Sequence, residues 1–234
     1  MSGPASGESG PGVASGAPEA SGVAASEGER PRGLLIDFGG VLTSSVFEAF
    51  DAFAVAEGLE AGSLAQLFRT NPEARQLLID IEAGAIDTVG FGPPFAALAG
   101  LRPDRADGLV HRMFAALQPD EAMGRMVRAA RAAGIRTGLV SNSWGDGMRY
   151  DTALLTEAFD AVVLSHEERI RKPAPQIFLT GAERIGLPPT ECVFVDDLTF
   201  NLPAAEELGM RTVLHRSAEE TIPQLEALFG VPLR

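Results

Sequence analysis

The chain has 234 residues, 45% hydrophobic and 22% charged, a globular balance with room for one core plus an insertion but not for two full domains. Its 19 basic and 32 acidic residues give a net charge of -13, which removes any general attraction to nucleic acid or anionic lipid. One cysteine, Cys192, excludes an internal disulfide, and with no basic leader and no run of about 18 apolar residues the expectation is a cytoplasmic protein without membrane or nucleic-acid partners.

In chain order, residues 1–32 come first, rich in Gly, Ser, Ala and Pro, and read as a disordered tail because so little of this stretch can be buried. From Gly33 onward, short apolar runs bounded by Gly, Pro or polar residues alternate with helical patterns. Leu34–Ile36, Ile135–Val140, Ala161–Leu164, Cys192–Val195 and Thr212–Leu214 are expected strands. Helices are expected over Asp120–Ala133, Pro175–Ile185 and Leu202–Leu208, each stopped by a glycine, and a last one opens on the capping box Ser217-Ala-Glu-Glu220. The fold class is therefore α/β, a Rossmann-like three-layer parallel sheet.

Between the first and second strands the rhythm breaks. Phe47, Phe50 and Phe53, then Leu64, Leu67 and Phe68, then Leu77, Leu78 and Ile81, then Leu109, Met113 and Phe114 recur at three- and four-residue spacing, so residues 45–117 are expected to form a helical-bundle cap inserted into a core of 33–44 plus 118–234. This aromatic stripe reads chiefly as packing, with Phe47, Phe50 and Phe91 the ones that could face a substrate.

Ligands of a parallel sheet sit beyond the carboxyl ends of its strands. Asp37 ends the first run, Ser141-Asn142 the second, and Asp196-Asp197 the fourth. Carboxylates gathered there repel unless a cation neutralises them, and a site of carboxylates without His or Cys suits a hard divalent ion, Mg2+. Lys172, stiffened by Pro173 and Pro175, supplies an ammonium for phosphoryl oxygens. Among the rest, His111 reads as surface, His166 as a solvated turn and Cys192 as a buried thiol; Trp144 packs against the cap or a substrate.

The segments Ile36-Asp37-Phe38-Gly39-Gly40-Val41-Leu42, Leu139-Val140-Ser141-Asn142-Ser143, Lys172-Pro173 and Val195-Asp196-Asp197-Leu198 with Asn201 resemble, in that order, the four motifs of the haloacid dehalogenase superfamily. Within it the match is similar to the N-terminal phosphatase domain of soluble epoxide hydrolase and to bacterial sugar-phosphate phosphatases. The resemblance implies a Mg2+-dependent phosphatase of small phosphomonoesters. Asp37 would be the nucleophile forming an aspartyl-phosphate, Ser141 and Lys172 the phosphoryl contacts and Asn142 a substrate contact. Asp37, the Gly39 carbonyl, Asp197 and Asp196 would hold the metal. Gly39 departs from the family pattern: it stands where an acid-base Asp is usual, a role commonly worth 10²–10⁴-fold. The alternatives are a 2-haloacid dehalogenase, which needs no proton donor but leaves Asp196-Asp197 unexplained, and a non-catalytic binding or regulatory protein that has kept the fold.

Overall fold

The computed structural model describes residues 30–148 and 150–234. The expected disordered tail lies outside the described residues up to position 29. Its last residues belong to the fold: Pro31 is buried and the Arg32 N–H donates to the Glu191 carbonyl at 2.8 Å, because the backbone edge next to the first strand needs a partner.

Five parallel strands, β1 (Gly33–Ile36), β2 (Arg136–Ser141), β3 (Ala161–Leu164), β4 (Cys192–Asp196) and β5 (Arg211–Leu214), form one sheet in the order β3-β2-β1-β4-β5. They agree with the expected runs to within a residue or two at each end. Although β1 and β4 are buried on both faces, their side chains alternate between two cores. Leu34, Ile36, Val193 and Val195 pack on one side; Leu35, Cys192 and Phe194 pack on the other.

The first core is closed by α6 (Glu121–Ala132), α7 (Thr152–Ala158) and α11 (Ala218–Phe229), the second by α9 (Pro175–Arg184) and α10 (Leu202–Glu207), while the single turn α8 (Ser165–Glu168) follows directly on β3. Asp120 caps α6 by accepting from Met123 N at 2.9 Å, and Ser217 caps α11 by accepting from Glu220 N at 3.4 Å. Helices thus cover both faces of the sheet.

The stretch between β1 and β2 folds as α1 (Val46–Ala56), α2 (Ser63–Thr70), α3 (Pro72–Glu82), α4 (Thr88–Leu98) and α5 (Leu109–Met113). Its entry and exit are tied side by side: Ser44 N donates to Gln118 O at 2.7 Å and Asp120 N to Leu42 O at 2.9 Å. Periodicity does not reveal α4, which carries Pro93 and Pro94 inside it. It forms because Asp87 caps Gly90 N at 2.7 Å and because Phe91 and Phe95 are buried against their neighbours, which outweighs the two lost backbone bonds. Phe91 is consequently packing, 4.8 Å ring to ring from Phe95 and 5.1 Å from Trp144.

Candidate active site

The sheet order puts β1 at the centre, with β2 on one side and β4 on the other. Ile36 pairs with both Leu139 and Val195, so Asp37, one step further, is level with Asp196 at the neighbouring strand's tip, and its N–H donates to Val195 O at 2.9 Å. Register alone therefore brings these two carboxylates together, and Asp197 joins them. Oxygens of Asp37, Asp196 and Asp197 lie within 4.8 Å of one another.

Lys172 completes the group. It is fully buried, with Nζ 2.8 Å from Asp37 Oδ1, 2.7 Å from Asp196 Oδ2 and 5.5 Å from the centre of the Phe194 ring. Burial works against its charge, but Asp196 and Asp37 outweigh that and hold its pKa above the usual lysine value. Asp37 Oδ1 also accepts from Phe38 N at 2.7 Å, whereas no donor among the described residues engages Oδ2. Burial raises the Asp37 carboxyl to about 7, with Lys172 opposing and Asp196 and Asp197 reinforcing the rise. Burial, then Asp196, raises Asp197 to about 6.

Three carboxylates against one ammonium leave an excess of negative charge in a buried place. Asp197 Oδ1 is buried with no hydrogen-bond partner among the described residues, an arrangement that costs free energy unless a cation sits there. Gly40, at φ 77°, lets Asp197 come so near the turn after β1 that a Cβ on residue 40 would run into its carboxylate. The all-oxygen donor set fits a hard divalent ion. Asp196 is engaged differently, because its oxygens accept from Lys172 Nζ, Leu198 N at 2.8 Å and Asn201 Nδ2 at 3.0 Å.

A cavity of about 580 Å³ opens between these groups and the inserted helices, lined by Asp37, Gly39, Asn142, Lys172 and Asp197 at one end and by Phe47, Phe50, Phe68 and Phe114 further out. Two expected contacts also have partners within the protein. Ser141 is buried, with its hydroxyl 3.1 Å from the Tyr150 hydroxyl, and Asn142 brackets the backbone of Lys172, accepting from its N–H at 2.8 Å and donating to its carbonyl at 3.2 Å. Asn142 thus holds the strap that carries the ammonium.

Sequence reasoning missed Glu82, at the end of α3. It is buried, takes Arg171 Nε at 2.5 Å, and accepts from Trp144 Nε1 and Asn142 Nδ2 at 3.4 Å each, while its carbonyl accepts from Ser165 Oγ at 2.6 Å. A carboxylate closing a helix carries no local signal of partners from three distant segments. His166 also departs from the solvated turn expected of it, since Nδ1 lies 2.6 Å from the buried Ser143 hydroxyl. Trp144 is buried among Phe50, Phe91 and Phe114 of the inserted helices, with ring centres 5.1 to 5.9 Å away, and also lines the cavity.

Comparison with known proteins agrees with this arrangement. A family model described as haloacid dehalogenase-like hydrolase matches residues 31–209. Mouse acyl-CoA dehydrogenase family member 10 is 30% identical over 216 residues, 89% of this chain, which spans only 20% of that protein's length. A phosphoglycolate phosphatase of Xylella fastidiosa is 31% identical over 199 residues, covering 81% of this chain and 84% of its own. A solved HAD-family enzyme of Bacteroides thetaiotaomicron, a magnesium complex, superposes with a TM-score of 0.60 at 23% identity, over 84% of this chain and 98% of that one, which speaks for the fold. With the central-strand aspartate, the buried lysine and the paired carboxylates in place, this chain belongs to the haloacid dehalogenase-like hydrolases.

Proposed function

We propose that this protein is a phosphatase that hydrolyses a small phosphomonoester through an aspartyl-phosphate on Asp37. The observation that carries this reading is the asymmetry of the Asp37 carboxylate. Oδ1 is fixed by Lys172 Nζ and Phe38 N, while Oδ2, which no donor among the described residues engages, is left as the nucleophile of a residue that lines the cavity. Oδ2 forms the bond to phosphorus as the ester oxygen leaves with its electron pair, and Lys172, within reach of both carboxylate and cavity, steadies the charge on the phosphoryl oxygens.

No carboxyl stands at position 39 to protonate the leaving oxygen, so that proton comes from water, and water then cleaves the acyl-phosphate. The inserted helices act as the cap, and their aromatic side chains keep bulk solvent from the reacting group. Asp37, Asp197 and the Gly39 carbonyl would hold Mg2+, with Asp196 supporting Lys172 and closing the set. Bound there, the ion supplies Lewis-acid polarisation of a phosphoryl oxygen and offsets the excess of carboxylates. The relative named as a phosphoglycolate phosphatase and the magnesium complex of the Bacteroides enzyme support both parts of this reading.

The test is turnover of p-nitrophenyl phosphate and a panel of metabolite phosphates, with Mg2+ and with a chelator, beside Asp37→Asn. Magnesium-dependent turnover that the variant loses is expected. Equal rates in the two proteins would end the proposal. Chloride release from a 2-chloro acid in chelator would favour the dehalogenase alternative, against which the partnerless Asp197 oxygen speaks.

A further inference from the structure

We propose that the alcohol part of the ester is apolar, a hydrocarbon chain or ring and not a sugar, an inference that rests on the phosphatase reading above. Apart from the groups at the phosphoryl end, the cavity is lined by Phe47, Phe50, Phe68, Leu78, Ile79 and Phe114, with four charged residues among them. A sugar placed there would leave hydroxyls desolvated without partners, whereas a hydrocarbon gains by leaving water.

Most polar groups on the wall are already engaged by the protein itself. Glu82 and Arg171 pair with each other at 2.5 Å, Asn142 is taken by the Lys172 backbone, and the Asn201 amide nitrogen by Asp196. Asn201 Oδ1, a buried amide oxygen with no partner among the described residues, sits beside Asp196 at the phosphoryl end. Arg69 and Arg75 also line the cavity; both are exposed, and Arg75 donates to the Phe68 carbonyl at 3.4 Å and to the Arg69 carbonyl, so an apolar occupant need not desolvate them fully.

A separate observation points the same way. Among the described residues, two aromatic side chains are exposed, Phe47 at 48% on α1 and Phe200 at 56% just before α10, and both line this cavity. One comes from the inserted helices and one from the sheet core, so they flank the cavity from its two sides. Exposed apolar groups converging on one cavity mark a surface that an apolar ligand completes.

The experiment titrates ethyl, butyl, hexyl and octyl phosphate, and for contrast fructose 1-phosphate and phosphoglycolate, into the Asp37→Asn protein, following the emission of Trp144, the chain's one tryptophan, which lines the cavity. If this variant does not fold, the parent in chelator replaces it. Affinity is expected to rise about fourfold per added methylene until the cavity is filled, equivalent to about 0.8 kcal/mol each. Both polar esters should bind more weakly than hexyl phosphate, and Phe47→Gln should flatten the rise. A flat series, tighter binding of fructose 1-phosphate, or no binding at all overturns the inference. If the parent still hydrolyses p-nitrophenyl phosphate in that case, the phosphatase reading survives alone. A rising series without such hydrolysis keeps the apolar ligand and removes the reaction.

Discussion

Lys172 Nζ lies 2.8 Å from Asp37 Oδ1 although the two residues stand 135 positions apart in the chain, and the ammonium is fully buried. Removing it would leave Asp37 and Asp196 facing each other without a cation. Lys172→Met is therefore expected to abolish ester turnover and to cost about 3–5 kcal/mol of stability, the usual penalty for breaking a buried pair. Urea unfolding beside a turnover assay checks both, and parent-like values in either would contradict the role given to Lys172.

Position 39 is constrained by the inserted helices. A Cβ there would sit 2.7 Å from Val46 Cγ2 on α1, and the χ1 of valine is stiff, so Gly39→Asp forces α1 outward. The expected destabilisation is about 1–3 kcal/mol, as for overpacking elsewhere, and Val46→Ala in the same chain should recover most of it. Thermal melting of the single and double variants decides the matter. The double variant should also hydrolyse alkyl esters better, relative to aryl ones, than the parent does.

Magnesium should raise the melting temperature, since an ion that binds the folded state alone stabilises it by about 2.7 kcal/mol at a concentration one hundred times its dissociation constant. Asp197→Asn removes a half-buried charge from a crowded group, so it should melt at or above the parent in chelator while losing the response to Mg2+. A response that survives in Asp197→Asn would move the ion elsewhere.

Glu82 links the end of α3 to Arg171, Asn142 and Trp144, and through Asn142 to the strap that carries Lys172. Burial raises the carboxyl's pKa and Arg171 opposes that rise. Glu82→Gln should weaken the pairing of the inserted helices with the sheet core by about 2 kcal/mol, shift Trp144 emission to the red and lower kcat. Glu82→Asp should restore part of both signals. An unchanged emission spectrum in Glu82→Gln would show that this contact does not hold the helices down.

Cys192 lies in the sheet beneath α9, and burial pushes its thiol up to about 11. Because the folded value is raised, the neutral thiol stabilises the fold at neutral pH, and this contribution is lost as pH climbs from the ordinary thiol value through about 11. Iodoacetamide should label the native protein slowly at pH 8 and the urea-unfolded chain quickly. Comparable labelling rates would place the sulfur at the surface.

Most of the sheet was legible because its signals are local. Leu34–Ile36, Cys192–Val195 and their flanking Gly and Pro residues need no distant partner to be read, and helix stops at Gly134, Gly186 and Gly209 follow from backbone chemistry. Asp37, Asp196 and Asp197 were legible for a related reason: strand ends in a parallel sheet all open on one edge, so the polar residue after each apolar run is bound for the same crevice, whereas Lys172 was marked by the prolines beside it and by its place in the motif order. The helix across Pro93 and Pro94 was not, since two missing backbone donors argue against it locally and only the burial of Phe91 and Phe95 reverses the balance.

By itself, then, the sequence determined a parallel sheet with an interrupting helical segment and an acidic edge beside one lysine. Tertiary structure alone decided which oxygen of Asp37 stays free, that Asn142 serves the Lys172 backbone, that Glu82 reaches from α3 into the site, and that aromatic side chains wall the cavity. Those outcomes depend on side chains meeting from segments far apart in the chain, where the energies follow distance and burial after packing, and neither quantity is written in the local order of residues.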